Sequence, residues 1–213
     1  MKTPLVLVTA GPTRERIDPV RFISNYSTGT FGYKIAEEAR DRGCRVVLVT
    51  GPVSITPPSG IKTIRIESAT EMQKAVKAWS GKADYIFMAA AVSDWRVRNP
   101  KKAKIKKSGG GITLELKENP DILKALGKRK TYRLIGFALE TGNLAENAAK
   151  KLKSKGLDII VANRLTKSYK LFGDNKIDVL MMDKYGGREL YKALSKGKLA
   201  KIILDKAFGF NIK

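Results

Sequence analysis

The chain has 213 residues, 43% of them hydrophobic, with 42 lysines and arginines against 20 acidic residues, one cysteine and no histidine. That length and apolar share suit a single domain with a real core. The lone Cys44 excludes an internal disulfide, and the missing histidine excludes imidazole acid–base chemistry, Ser-His-Asp triads and His-ligated zinc.

The net charge of +22 attracts polyanions, but it is spread along the chain with only modest clusters at 101–107 and 150–155. No run approaches the roughly 18 apolar residues of a membrane span, and the amino terminus lacks a signal-peptide layout. A soluble cytoplasmic protein is expected. Its catalysis would rest on lysines, carboxylates, amides, backbone groups or a bound metal, which suits phosphate and acyl transfer.

Residues 5–9 (LVLVT) predict a buried first strand. A helix over 29–42 follows a long loop and is closed by Gly43. Strands are predicted at 45–50 and 62–66, then a helix from a Ser68/Glu71 capping box to Trp79. Residues 85–90 (YIFMAA) read as a strand, and Asn119 and Pro120 as N-cap and first position of a short helix ending near Gly127. A strand at 133–138, a helix at 144–155, strands at 158–162 and 176–182, and a helix at 196–207 complete the chain. Alternating strands and helices predict an α/β fold, a Rossmann-like three-layer sandwich with a mainly parallel sheet and a small β-hairpin or flap extension. One domain, 1–213, is expected, with the flap at about 101–117 and a candidate dimerisation hairpin at about 168–192.

Ligands in such folds sit beyond the carboxyl ends of the strands. The first strand ends in Thr9-Ala10-Gly11-Pro12-Thr13-Arg14 rather than in G-x-G-x-x-G, which counts against an NAD(P)-binding oxidoreductase. The later turn, Ser27-Thr28-Gly29-Thr30-Phe31-Gly32, is either an anion site at a helix start or an ordinary cap with a packing glycine. Within the intervening loop, Arg21 and Asn25 are candidates, Asn25 able to donate and accept toward an acyl group or merely to cap the turn. After the fourth strand, Asp94 suits a ribose hydroxyl, a base edge or Mg²⁺; otherwise it caps the loop while Trp95 plugs the core. Residues 104–111 (KIKKSGGG) read as a basic flap with a glycine hinge, placing Lys104 and Lys106 on one face if extended, or as a nucleic-acid arm. Lys151 and Lys155 share a helical face, which matters only if that face borders the cleft.

Together these segments resemble the phosphopantothenoylcysteine synthetase family, found alone or as the C-terminal half of a bifunctional decarboxylase–synthetase. The matching stretches are 8–14 (VTAGPTR), 17–25 (IDPVRFISN), 89–94 (AAAVSD), 104–107 (KIKK), 119–123 (NPDIL) and 136–141 (GFALET), in family order across nearly the whole chain. The resemblance implies a phosphopantothenate–cysteine ligase of coenzyme A biosynthesis. CTP activates the 4'-phosphopantothenate carboxylate as an acyl-CMP, and the cysteine amine then displaces CMP. It also implies roles. Asn25 holds the intermediate and, with Arg21, Gly29 and Gly32, the substrate; Lys104 is the catalytic flap lysine. Ala90, Asp94, Lys104, Pro120, Asp121, Ile122, Leu123, Phe137, Lys151 and Lys155 contact the nucleotide, and Asp94 meets either Mg²⁺ or the nucleotide directly. Many relatives carry a basic residue where this chain has Thr30. Implied too are Mg²⁺, a homodimer, no flavin in this chain and a separate phosphopantothenoylcysteine decarboxylase. Of the rivals, a basic nucleic-acid-binding module leaves Asn25, Asp94 and residues 136–141 unexplained, and the missing glycine fingerprint counts against an NAD(P)-dependent oxidoreductase.

Overall fold

In the computed structural model, which describes residues 3–107, 109–128, 130–165 and 175–209, the chain opens with a strand buried along its whole length. This is β1 (Leu5–Ala10). It is followed by β2 (Arg14–Arg16), β3 (Phe22–Ser24), α1 (Thr30–Asp41), β4 (Arg45–Thr50), β5 (Lys62–Arg65), α2 (Ala69–Ser80) and β6 (Tyr85–Met88). Next come β7 (Trp95–Val97), β8 (Leu116–Glu118), α3 (Ile122–Gly127), β9 (Arg133–Glu140), α4 (Leu144–Ser154), β10 (Ile159–Arg164), β11 (Ile177–Asp183), β12 (Arg188–Leu194) and α5 (Lys196–Gly209).

The continuous apolar run of β1 requires cover on both faces, which only the interior of a parallel sheet provides. The strand order is β12-β11-β10-β9-β6-β1-β4-β5. Strands β5 through β10 in that order run parallel, and β11 and β12 add an antiparallel edge. Alternation along β1 sends Val6, Val8 and Ala10 into one core with Tyr33 and Ile35 of α1 and Leu199 and Ile203 of α5. Leu5 and Leu7 point the other way, toward Met72 and Val76 of α2, Ile122 of α3, and Ala148 and Leu152 of α4. These are the three layers that the sequence predicts.

Ser68 caps α2 by accepting from the Glu71 amide at 3.2 Å, while Glu71 reaches back to the Glu67 amide at 2.7 Å. The start of α3 differs from expectation. Its N-cap is Asp121, which accepts from the Lys124 amide at 2.8 Å. Asn119 is recruited elsewhere: its side chain donates to the Ser93 carbonyl (2.9 Å) and accepts from Arg96 (2.8 Å), tying together the roots of β7 and β8. Trp95 is 48% exposed and plugs no core. The short hairpins β2–β3 and β7–β8, and the edge strand β12, go beyond the predicted elements because three-residue strands and a polar edge carry no periodic signal. The expected flap corresponds to residues 98–115, projecting from the β7–β8 pair, and residues 104–107 carry no strand. Of the candidate dimerisation hairpin, 168–174 lie outside the described residues, and β11 pairs with β12 at the sheet edge.

One ion cluster holds the far side of the sheet. The Asp158 side chain is 3% exposed and lies 2.7 Å from Lys130 Nζ, 2.9 Å from Lys184 Nζ and 3.6 Å from Arg133 Nη1. It also accepts from the Leu134 amide at 2.8 Å. Burial alone would raise this carboxyl, but Lys130, the Leu134 amide and Lys184 together hold it below the ordinary carboxylate range. Replacing it leaves three cations facing each other, so Asp158→Ala is expected to cost about 3 kcal/mol in denaturant unfolding. A carboxyl lowered in the folded state stabilises above its unfolded pKa of about 4 and loses that contribution as the pH falls through its folded value. The wild type should therefore lose stability on acidification below pH ~4 more steeply than Asp158→Ala.

Candidate active site

Strand β1 lies between β4 and β6, where the chain reverses its direction of travel across the sheet. Crevices form beyond the carboxyl ends of strands at such a point. The pairing of β1 with β6 continues past both strands. Ala91 N donates to Gly11 O at 2.9 Å, Thr13 N to Ala91 O at 3.3 Å, and Ser93 N to Thr13 Oγ1 at 3.0 Å. The loop following β6 is thereby held along the loop following β1. Asn25, at the end of the β3 hairpin, donates from Nδ2 to Val92 O at 3.1 Å. Its amide is oriented by that bond, and it lies on the wall of a cavity rather than merely capping a turn.

Two adjoining cavities open here. The first, about 500 Å³, runs from Asn25 and residues 27–32, which lead into α1, across Ala89–Val92 to Phe137, Val161 and Asn163. The second, about 490 Å³, lies between the roots of the flap, residues 119–123, Phe137 and the end of α4. They share Ala90, Val92, Asp94, Phe137 and Lys151. The predicted residues sort between them. Asn25, Gly29 and Gly32 line the first; Pro120, Asp121, Ile122, Leu123 and Lys155 line the second. Arg21 and Lys104 line neither, and Lys104 is exposed on the flap.

The first turn of α1 is built by its glycines. Gly29 is the N-cap at φ 77°, left-handed backbone that favours glycine, and it offers no capping side chain; Ser27 Oγ accepts from its amide at 3.3 Å and Thr28 Oγ1 from the Thr30 amide at 3.5 Å. At Gly32 a Cβ would sit 2.6 Å from Ala10 Cβ and 2.9 Å from Thr9 O, so this glycine lets α1 close directly onto β1. The packing role and the cavity role coincide. The result is an open helix N-terminus facing the cavity, where amide N–H groups and the helix dipole favour an anion. Phe31 meets Phe137 edge to face at 5.3 Å and forms an apolar wall beside it.

Lys151 donates to the Phe137 carbonyl at 3.2 Å, which places its ammonium at the junction of the two cavities. Burial lowers this lysine below its ordinary value, with Glu140 pulling it back. Lys155 pairs with Asp121. Burial would raise the Asp121 carboxyl, but hydrogen bonds from Lys155 and the Lys124 amide hold it low. The helical face that carries Lys151 and Lys155 thus does border the cleft. Among the cavity residues that escaped the sequence reading are Asn163 at the end of β10 and Lys196 at the start of α5, only 5% exposed. Lys196 sits among Lys192, Lys198 and Lys201, and nothing local distinguishes a buried lysine from solvated ones.

Asp94 lines both cavities. Among the described residues, no group of three or more Cys, Asp or Glu side chains forms a cation cage. A single carboxylate on the wall of both cavities suits at most a cation that keeps most of its water, as Mg²⁺ does, since such an ion needs few protein ligands.

The family model for the DNA/pantothenate metabolism flavoprotein C-terminal domain matches residues 1–210. The chain belongs to this family. It is 45% identical over 193 residues, 90% of its length, to the coenzyme A biosynthesis bifunctional protein CoaBC of Bacillus subtilis, covering 48% of that protein. Against CoaBC of Escherichia coli it is 37% identical over 208 residues, 94% of its length and 50% of the relative's. The chain thus spans about half the length of these curated relatives. A crystal structure of the C-terminal domain of CoaBC superposes with a TM-score of 0.82 at 39% identity, covering 97% of this chain and 94% of that one. The family indicated by residues 17–25, 104–107 and 136–141 is the family found, and the fold is the one predicted.

Proposed function

We propose that this domain is a phosphopantothenate–cysteine ligase. The observation that carries the reading is the sorting of the candidate residues into two cavities that meet at Asp94, Phe137 and Lys151, as a reaction joining a nucleotide to a second anion requires. In this reading CTP occupies the cavity of residues 119–123 and Lys155, and 4'-phosphopantothenate extends from the junction into the cavity of Asn25 and α1. The pantothenate carboxylate, ionised at neutral pH, needs no base to attack the α-phosphate. The bond between α-phosphorus and the bridging oxygen breaks, and pyrophosphate leaves. Lys151 at the junction, with the Lys104 side chain reaching over from the flap, offsets the charge that builds on the phosphate. Mg²⁺ bound to the triphosphate beside Asp94 would supply further charge neutralisation. Asn25, its amide oriented by Val92 O, donates to the acyl-CMP while the cysteine amine attacks the acyl carbon and CMP departs.

We place the active assembly as a homodimer, with the β11–β12 edge and its exposed Tyr185 and Leu190 as the contact. A flavin-dependent decarboxylase acting on the product would be a separate partner or a separate domain. None of the described helices is long and apolar enough to cross a membrane, in keeping with the cytoplasmic site we propose.

The test is pyrophosphate release from CTP with Mg²⁺ and 4'-phosphopantothenate, with and without cysteine, and with ATP in parallel. The expected result is release that requires phosphopantothenate, and sustained CMP formation only with cysteine. Release from neither nucleotide would overturn the ligase reading, and faster turnover of ATP would overturn the choice of CTP.

A further inference from the structure

The turn between β2 and β3 grips the flap, chiefly at Ile105. The Asp18 side chain has no exposed surface. Its Oδ1 accepts from the Val20 and Arg21 amides at 2.8 and 2.9 Å, within its own turn. Its Oδ2 reaches 87 residues along the chain to accept from the Ile105 amide of the flap at 3.1 Å. Arg21 completes the grip: Nη2 donates to the Ile105 carbonyl at 2.6 Å, and Nε lies 3.1 Å from Asp18 Oδ2. Both backbone groups of Ile105 are therefore engaged by one ion pair. Lys101 N adds a bond to Ile17 O at 2.9 Å, tying the outgoing limb of the flap to the same turn.

A carboxylate wholly removed from water in a surface turn is costly unless its oxygens are satisfied. Here three amides and a guanidinium satisfy them, and the flap supplies one of those amides. Neither Asp18 nor Arg21 lines either of the two cavities of the site. What the pair does hold is the residue next to Lys104. Past the grip, Gly109, Gly110 and Gly111 have open space around them, and Lys104 itself projects into solvent. The flap is thus divided into a root held at Ile105 and a tip that is not.

We propose that Asp18 and Arg21 are positioning residues, which fix the backbone of Lys104 by clamping Ile105. The role rests on the ligase reading above and on Lys104 as the flap lysine. Only the Lys104 side chain then has to be ordered when substrates bind, rather than the whole flap root, and misplacing a catalytic group by about 1 Å costs on the order of 100-fold. Arg21 accordingly acts through the flap in this protein and not by touching substrate.

Two variants separate the clamp from the turn that carries it. Asp18→Asn keeps Oδ1 for the Val20 and Arg21 amides but turns an NH₂ toward the Ile105 N–H. Ile105→Pro removes the flap's donor without touching the turn, while also fixing φ at 105 and restricting Lys104. Each is expected to lower kcat about 10- to 100-fold with KM for CTP changed less than about twofold. In a Lys104→Gln background the same changes should cost less than about twofold more, because they act through a lysine already gone. Trypsin cleavage after Lys104 and Lys106 should accelerate at least about tenfold in Asp18→Asn, with thermal unfolding of the whole domain little changed. Losses that add fully to that of Lys104→Gln, a kcat left at the wild-type level, or unchanged flap cleavage would each overturn the proposal. Failure of the ligase reading is seen separately, as a wild type that turns over no nucleotide. It removes the positioning role, and the trypsin comparison then decides whether the clamp exists.

Discussion

Asn25→Asp is expected to abolish product formation, by more than about 1000-fold, while leaving the fold intact. The Asn25 amide donates to Val92 O at 3.1 Å, which aims the rest of the group into the first cavity. Aspartate removes the donor and sets a negative oxygen against the Val92 carbonyl. It also places that charge beside a phosphate or acyl phosphate. Loss of one well-placed donor costs about 100- to 1000-fold by itself, and like-charge repulsion adds to it. Asn25 is exposed, so the folded state gains no buried charge, and melting should move by no more than the equivalent of ~0.5 kcal/mol. Cysteine-dependent CMP release and thermal unfolding, measured on the same preparation, check both halves. Activity within about tenfold of wild type would remove Asn25 from the mechanism.

Lys104→Gln is expected to lower turnover about 100- to 1000-fold. Glutamine keeps the length and a hydrogen-bond donor but not the charge that offsets the developing phosphate anion. Lys104 lines neither cavity and stands on a flap without regular structure, so unfolding should change by less than about 0.5 kcal/mol. Single-turnover pyrophosphate release distinguishes the roles: a lysine used in the first half-reaction slows the burst itself, whereas one used only in the second slows CMP release after a normal burst. Unchanged rates in both phases would take the flap out of catalysis.

The alternation of buried strands with capped helices was legible because each signal is local. Residues 45–50, predicted as a strand, match β4 residue for residue, and Ser68 and Glu71 start α2 as their spacing requires. The site was legible as a set of types and intervals: a small-residue helix start, an amide in a long loop, an acid after β6, two lysines one helical turn apart. Asn119 shows where such reading ends. Asn-Pro before a helix is a cap by local chemistry, yet a distant pair of strand roots competes for the same amide and wins, leaving the cap to Asp121.

By itself, then, the sequence determined the layers, the family and a set of candidate residues, many of which line the two cavities, because hydrophobic period, caps and motif spacing all act over a few residues. Only the tertiary structure decided how those members divide between two cavities, that Lys196 and Asn163 join them, and that Arg21 donates to the flap at Ile105. Each of those outcomes depends on which of many chemically identical lysines, arginines and amides comes to lie at the carboxyl ends of the strands. That is set by the packing of helices on the two faces of the sheet, over separations at which local sequence carries no information.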